Sequence, residues 1–202
     1  MSSENKRAFL AILAVTLVSL VGKVIGFVRF QQIARIFGAS SEGDAVLLVL
    51  TIWWMVHSVV VTGSLWPVVV SKFVSFREER SSEAAYDLFT LALLIALACS
   101  IVTFVLALLF SKEISYILAP GFDEEQRFLA IEYIRLWSLF PFAAAVMAFG
   151  SILNNINERE FLTSTNPIIY QSISLASLLY LFFVPVESQT AARIFVVVSL
   201  FG

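Results

Sequence analysis

Apolar residues in this chain gather into long runs separated by short charged stretches. The runs cover Ala8 to Val28, Ala45 to Ser71, Leu88 to Ser111, Phe128 to Leu153 and Phe161 to Val186, with a further one from Ile194 to Gly202. About 20 mostly apolar residues cross a bilayer as a helix, so all but the last are long enough to span. The last, at nine residues, rises only about 14 Å, less than half of the ~30 Å hydrocarbon core. The pattern predicts one membrane domain over residues 1–202, all-α and polytopic, with spans at about 8–28, 45–71, 88–111, 128–153 and 161–186. Residues 194–202 read as a partial span, and the chain as truncated.

The connectors have their own patterns. Arg29 to Gly43 carries Phe30, Ile33, Ile36 and Phe37 at helical spacing, which predicts a short amphipathic interfacial helix closed by Gly38. Asp44 follows Gly43 as an N-cap for the second span, and Pro67 predicts a bend near that span's end. Lys72 to Asp87 is a charged surface stretch. Lys112 to Glu125, with its Pro120-Gly121 turn, and Asn154 to Glu160 read as loops between hairpinned spans. Pro141 predicts a kink in the fourth span.

Composition sharpens this picture. Hydrophobic residues make up 59% and charged residues 14%, against roughly half and a quarter in soluble domains. That much apolar surface demands a lipid environment, so membrane lipid is an expected partner. The net charge of −2, with no basic patch clear of acids, argues against nucleic acid. The single Cys99 lies inside a span, which leaves no disulfide framework and no paired thiols. Lys6 and Arg7 precede an apolar run too long for a signal peptide, so the first helix is retained. With the N-terminus cytoplasmic, six Lys and Arg fall inside and five outside, a bias that by itself decides little.

Ionisable residues within spans are expensive and are therefore candidates for function. Lys23, His57, Glu132 and Arg135 are such residues. Lys23 either snorkels to the interface or lines a cavity. At 100° per residue it stands about 120° from Arg29, so the two can border one wide cavity. Gly22 and Gly26 form a GxxxG pattern that lets another helix approach closely. His57 is the only histidine, and its ordinary role is that of a packed polar group. Glu132 and Arg135, three residues apart, are expected to pair on one helix face. No GxSxG, HExxH or phosphate-binding glycine loop is present, so neither an enzyme, a metal site nor a cofactor is expected.

The segment Gly22 to Asp44, GKVIGFVRFQQIARIFGASSEGD, resembles the MurJ/MviN lipid II flippases of the multidrug/oligosaccharidyl-lipid/polysaccharide exporter superfamily. Members carry S-R-x-x-G-F-x-R-D, then I-A-x-x-F-G-A, then D-A. Lys23, Gly26, Phe27, Arg29, Ile33, Ala34, Phe37, Gly38, Ala39, Asp44 and Ala45 follow that pattern. Further matches are Ala119-Pro120-Gly121-Phe122, Ile152-Leu153-Asn154 and Pro167. Departures are Lys23 for an arginine, Phe30 for an acid, and Trp53, Trp54 and His57 where members show proline, asparagine and a basic residue.

The resemblance implies the N-terminal part of a lobe of a two-lobed helical transporter, whose remaining C-terminal helices would be partners. It also implies the cytoplasmic (inner) membrane of a bacterium, a multi-pass topology and a cytoplasmic N-terminus. The implied function is alternating-access flipping of a polyprenyl-pyrophosphate-linked saccharide, lipid II or a related cell-wall or polysaccharide precursor. Lys23 and Arg29 would be the cations that hold the pyrophosphate, with Asp44, His57, Glu132 and Arg135 as further cavity-lining candidates. Two competing readings are a drug/cation or exopolysaccharide exporter of the same superfamily, and a non-transporting membrane scaffold or remnant lobe.

Overall fold

The computed structural model describes residues 3–56, 58, 66–157, 160–184 and 186–201. His57 lies outside the described residues. Those residues form an all-α bundle. Its first helix, α1 (Ser3–Phe37), runs unbroken through the stretch expected to be a separate amphipathic helix. The arginines and glutamines of that stretch are good helix formers, so losing apolarity does not end the helix. Gly38 ends it, at φ 55°, with its N–H donating to the Ala34 carbonyl at 2.9 Å. This is the left-handed glycine that closes many helices.

Helix α2 (Ser41–Val56) starts before Asp44. Ser40 is its cap, its hydroxyl accepting the Gly43 N–H at 3.1 Å, and Asp44 sits in the first turn instead. Helix α3 (Trp66–Glu79) has Pro67 in its first turn, where a missing N–H costs nothing. Only a short turn separates α3 from α4 (Ser82–Leu109), whose cap Ser81 accepts the Ala84 N–H. The charged stretch 72–87 is therefore mostly helical.

The loop expected after α4 contains α5 (Ser111–Leu118). Helix α6 (Glu124–Trp137) opens with a reciprocal capping box between Asp123 and Gln126. It bends by 44° into α7 (Phe140–Ile156), whose first turn holds Pro141. Proline without an N–H frees backbone groups at the break. Ser138 Oγ donates to the Arg135 carbonyl at 2.6 Å, and Ser100 Oγ from α4 lies 3.0 Å from the Pro141 carbonyl. Helices α8 (Glu160–Phe183) and α9 (Ser188–Phe201) complete the bundle.

Ile12–Phe37 and Ser82–Leu109 are long and apolar enough to cross a membrane, and the bent α6–α7 pair would make a third crossing. The polarity of α4 is inverted relative to a soluble bundle. Leu91, Leu94, Ile95, Ile101 and Val102 face outward, while Ala85, Ala96 and Ser100 are buried. In lipid the outward leucines cost nothing, and small residues let helices close on each other.

Two cores result. One joins Ile33 and Phe37 of α1, Val46 and Val49 of α2, Leu129 and Tyr133 of α6, Leu178 of α8 and Phe195 of α9. The other joins Phe73 of α3, Ala96 of α4 and Phe149 and Ile152 of α7. The most extensive helix pairing is α1 with α8, and the candidate site lies on that seam.

Candidate functional site

Small residues open the α1–α8 seam. Gly22 and Gly26 are both buried. A Cβ added to Gly26 would lie 3.0 Å from Nε2 of Gln171, so glycine here lets α8 approach. One turn further along α1, Arg29 is 3% exposed. Its guanidinium carbon lies 5.3 Å from the ring centre of Tyr170 on α8 and 5.1 Å from that of Phe30. A desolvated cation over aromatic rings gains roughly 2 kcal/mol or more. That offsets only part of the cost of removing a guanidinium from water, which is several kcal/mol.

The hydrogen-bonding capacity of the seam is unspent. Arg29 Nε and Nη1 are buried without a hydrogen-bond partner among the described residues, as are Tyr170 Oη and Gln171 Oε1. Arg29 thus brings donors to the seam, Tyr170 a hydroxyl that can donate or accept, and Gln171 an accepting carbonyl oxygen. Buried polar groups are nearly always satisfied, so this cluster calls for water or a polar ligand. Unspent N–H groups on two nitrogens of one planar guanidinium suit the oxygens of a phosphate or carboxylate.

Aromatic packing fixes the site from the α2 side. Trp53 stacks on Tyr170 at 5.5 Å and 13°. It also meets Phe140 edge-on at 5.5 Å and Trp137 at 6.3 Å, and the latter two stack on each other at 4.8 Å. Arg29 therefore rests on a ring that is itself held by α2 and by the α6–α7 break. Closer to the C-terminal ends of α1 and α8, Arg35 lies 4.3 Å from the Phe182 ring centre, a second clasp on the same seam.

The other candidates are dispersed. The Lys23 side chain is exposed on α1, whereas Arg29 is buried, so the two do not share a surface in this conformation. Asp44 is partly buried and accepts a hydrogen bond from Gln126 Nε2 at 2.7 Å, tying the start of α2 to the start of α6. The expected Glu132–Arg135 pair is not formed. Glu132 instead binds Arg193 of α9 at 2.7 Å, and Arg135 Nε donates to Ser111 Oγ at 3.0 Å. Non-local geometry wins because α9 brings a guanidinium closer than the same-helix neighbour does. Tyr170 and Gln171 were not singled out from the sequence, where they read as ordinary residues of an apolar run, and Trp53 entered only as a departure from the family pattern.

Among curated proteins, the chain is similar to three named "Probable lipid II flippase MurJ". The Aquifex aeolicus (strain VF5) protein is 26% identical over 175 residues, 86% of this chain and 34% of the relative. The Thermotoga maritima protein is 28% identical over 159 residues, 77% of this chain and 32% of the relative. The Buchnera aphidicola (subsp. Schizaphis graminum) protein is 25% identical over 150 residues, 73% of this chain and 29% of the relative. The chain spans about a third of the length of these curated relatives. No protein-family model and no solved structure matches it. The chain is thus similar to MurJ proteins along most of its length, at 25–28% identity over 73–86% of its residues.

Proposed function

We propose that the chain forms part of a MurJ-like flippase that moves a polyprenyl-pyrophosphate-linked saccharide across the bacterial cytoplasmic membrane by alternating access. The observation that carries this reading is Arg29, a buried guanidinium with two nitrogens left without partners among the described residues, on an apolar helical seam. A pyrophosphate crossing hydrocarbon needs such a cation. Phosphate oxygens would take up the donors that the protein leaves open. Lys23, exposed six residues earlier, would meet the same anion at another stage of the cycle, as the seam opens.

In this reading the N-terminus is cytoplasmic and the saccharide is lipid II or a related precursor. The names of the relatives support the lipid-linked substrate. A cation or drug exporter would draw on an acid within the membrane. Glu132 is already neutralised by Arg193, which makes it a poor candidate for that role.

The test is replacement of a conditional lipid II flippase by the open reading frame that encodes this chain. Growth and the level of the lipid-linked precursor are the readouts. Rescue that disappears in Arg29→Ala and weakens in Lys23→Ala supports the reading. Absent rescue, with the protein well expressed in the membrane, rejects lipid II as the substrate.

A further inference from the structure

Arg135 is a second cation without an acid. Glu132 is the nearest carboxylate on its own helix, but it is spent on Arg193. Among the described residues the partner given to the Arg135 side chain is the neutral hydroxyl of Ser111, which receives Nε–H and leaves the terminal nitrogens uncommitted. The guanidinium borders a crevice of about 310 Å³ on the outer face of α6, lined by Phe128, Ile131, Glu132, Arg135 and Leu136. Three of these are apolar. With the Glu132–Arg193 pair neutral, the crevice carries a net charge of +1 from Arg135.

Its level in the membrane follows from Ser111. That residue opens α5, directly after the long apolar helix α4 ends at Leu109. Helix α5 is itself inside out. Ser111 and Ser115 are fully buried, while Tyr116 and Ile117 point outward. In water this arrangement would be costly; against lipid it is the favourable one. Arg127, whose guanidinium carbon lies 3.7 Å from the Tyr116 ring centre, belongs to the same rim. Through Ser111, Arg135 is thus tied to the end of the apolar helix α4, beside a crevice lined by three apolar side chains.

We propose that this crevice seats an anionic phospholipid of the surrounding bilayer. Its phosphate lies on the uncommitted N–H groups of Arg135, and one acyl chain runs along Phe128, Ile131 and Leu136. The proposal is independent of the transported substrate and rests on the membrane reading of the bundle. An anionic headgroup supplies the charge that Glu132 does not. The lipid would also hold α5 against α6 by covering their junction.

The experiment uses the protein carrying Phe128→Trp, reconstituted in vesicles of phosphatidylcholine with 10–20% (roughly one lipid in seven) brominated phosphatidylglycerol, or with the same fraction of brominated phosphatidylcholine. Quenching of the added tryptophan is read as the difference from the unsubstituted chain. The expected result is association of phosphatidylglycerol stronger by about fivefold, the effect of one surface arginine on an anionic lipid. That preference should vanish in Arg135→Gln and return in Arg135→Lys. Ile131→Trp, placed in the crevice with the charge intact, should report the same preference from a second position. Equal quenching by the two lipids, or a preference that survives Arg135→Gln, overturns the proposal. Relief of quenching by stoichiometric undecaprenyl pyrophosphate also overturns it, since the crevice would then belong to the route of a polyprenyl substrate.

Discussion

The ring of Tyr170 bears two neighbours at once: the indole of Trp53, nearly parallel at 5.5 Å, and the guanidinium of Arg29 at 5.3 Å. One side chain of α8 therefore joins α1 to α2. Whatever enters the seam to satisfy Arg29 must do so beside this ring, and whatever separates α1 from α8 must break the contact.

Tyr170→Ala is expected to destabilise the bundle by about 3–5 kcal/mol, the usual cost of deleting a buried aromatic side chain. Tyr170→Phe removes only a hydroxyl that has no partner among the described residues, and should cost less than about 1 kcal/mol. Reversible unfolding in mixed micelles separates the two. Equal losses would mean that the hydroxyl is bonded after all.

Arg29→Leu should leave the protein as stable or more stable, by about 1–4 kcal/mol, because an uncompensated buried charge is exchanged for a packed apolar side chain. Under the proposed function the same substitution abolishes rescue of flippase-depleted cells. A stability gain joined to a loss of function would mark Arg29 as a residue retained for its ligand. Unfolding measurements on purified protein and growth of the depleted strain supply the two readouts.

Gly26→Ala places a methyl group 3.0 Å from Gln171 Nε2. Because that atom ends a flexible side chain, the cost should be near the low end of overpacking, about 1 kcal/mol. Gln171→Ala in the same chain should remove it. A double-mutant cycle measures the coupling, and additive effects would show that Gln171 moves aside freely.

Ser100→Ala should cost about 1 kcal/mol by withdrawing the hydroxyl from the Pro141 carbonyl at the α6–α7 break. The loss should appear as faster amide exchange around residues 138–142, with α4 protection unchanged. Uniformly faster exchange along α4 would assign the hydroxyl to its own helix, through the Ala96 carbonyl.

The apolar runs made the helical class legible, because a backbone in lipid must satisfy itself and long helices do so. The continuation of α1 past Arg29 was not legible from hydropathy. Charges near Arg35 mark a change of surroundings, and a helix crosses such a change freely until Gly38 stops it. The motif around Gly26 and Arg29 contains two residues that the fold buries on the α1–α8 seam. It did not reveal that Arg29 is covered and Lys23 is bare, since a 120° offset says nothing about which side α8 occupies. Glu132 shows the same limit. Spacing ties it to Arg135, but its partner Arg193 is 61 residues away and is found only once α9 packs on α6.

At 35 residues, α1 is about 52 Å long, well beyond the ~30 Å of a hydrocarbon core. Its small residues Gly22 and Gly26 are buried, with α8 close against Gly26, and would serve as a pivot between a long N-terminal arm and a shorter C-terminal one. Arg35 lies nine residues beyond Gly26, about 14 Å along the axis, so a rotation of about 15° at that pivot would carry it through roughly 3.5 Å. A rocking of that size would slide Arg35 off Phe182, and because Ile33 and Phe37 on either side of it belong to the core, parting the seam at this end would repack the core as well.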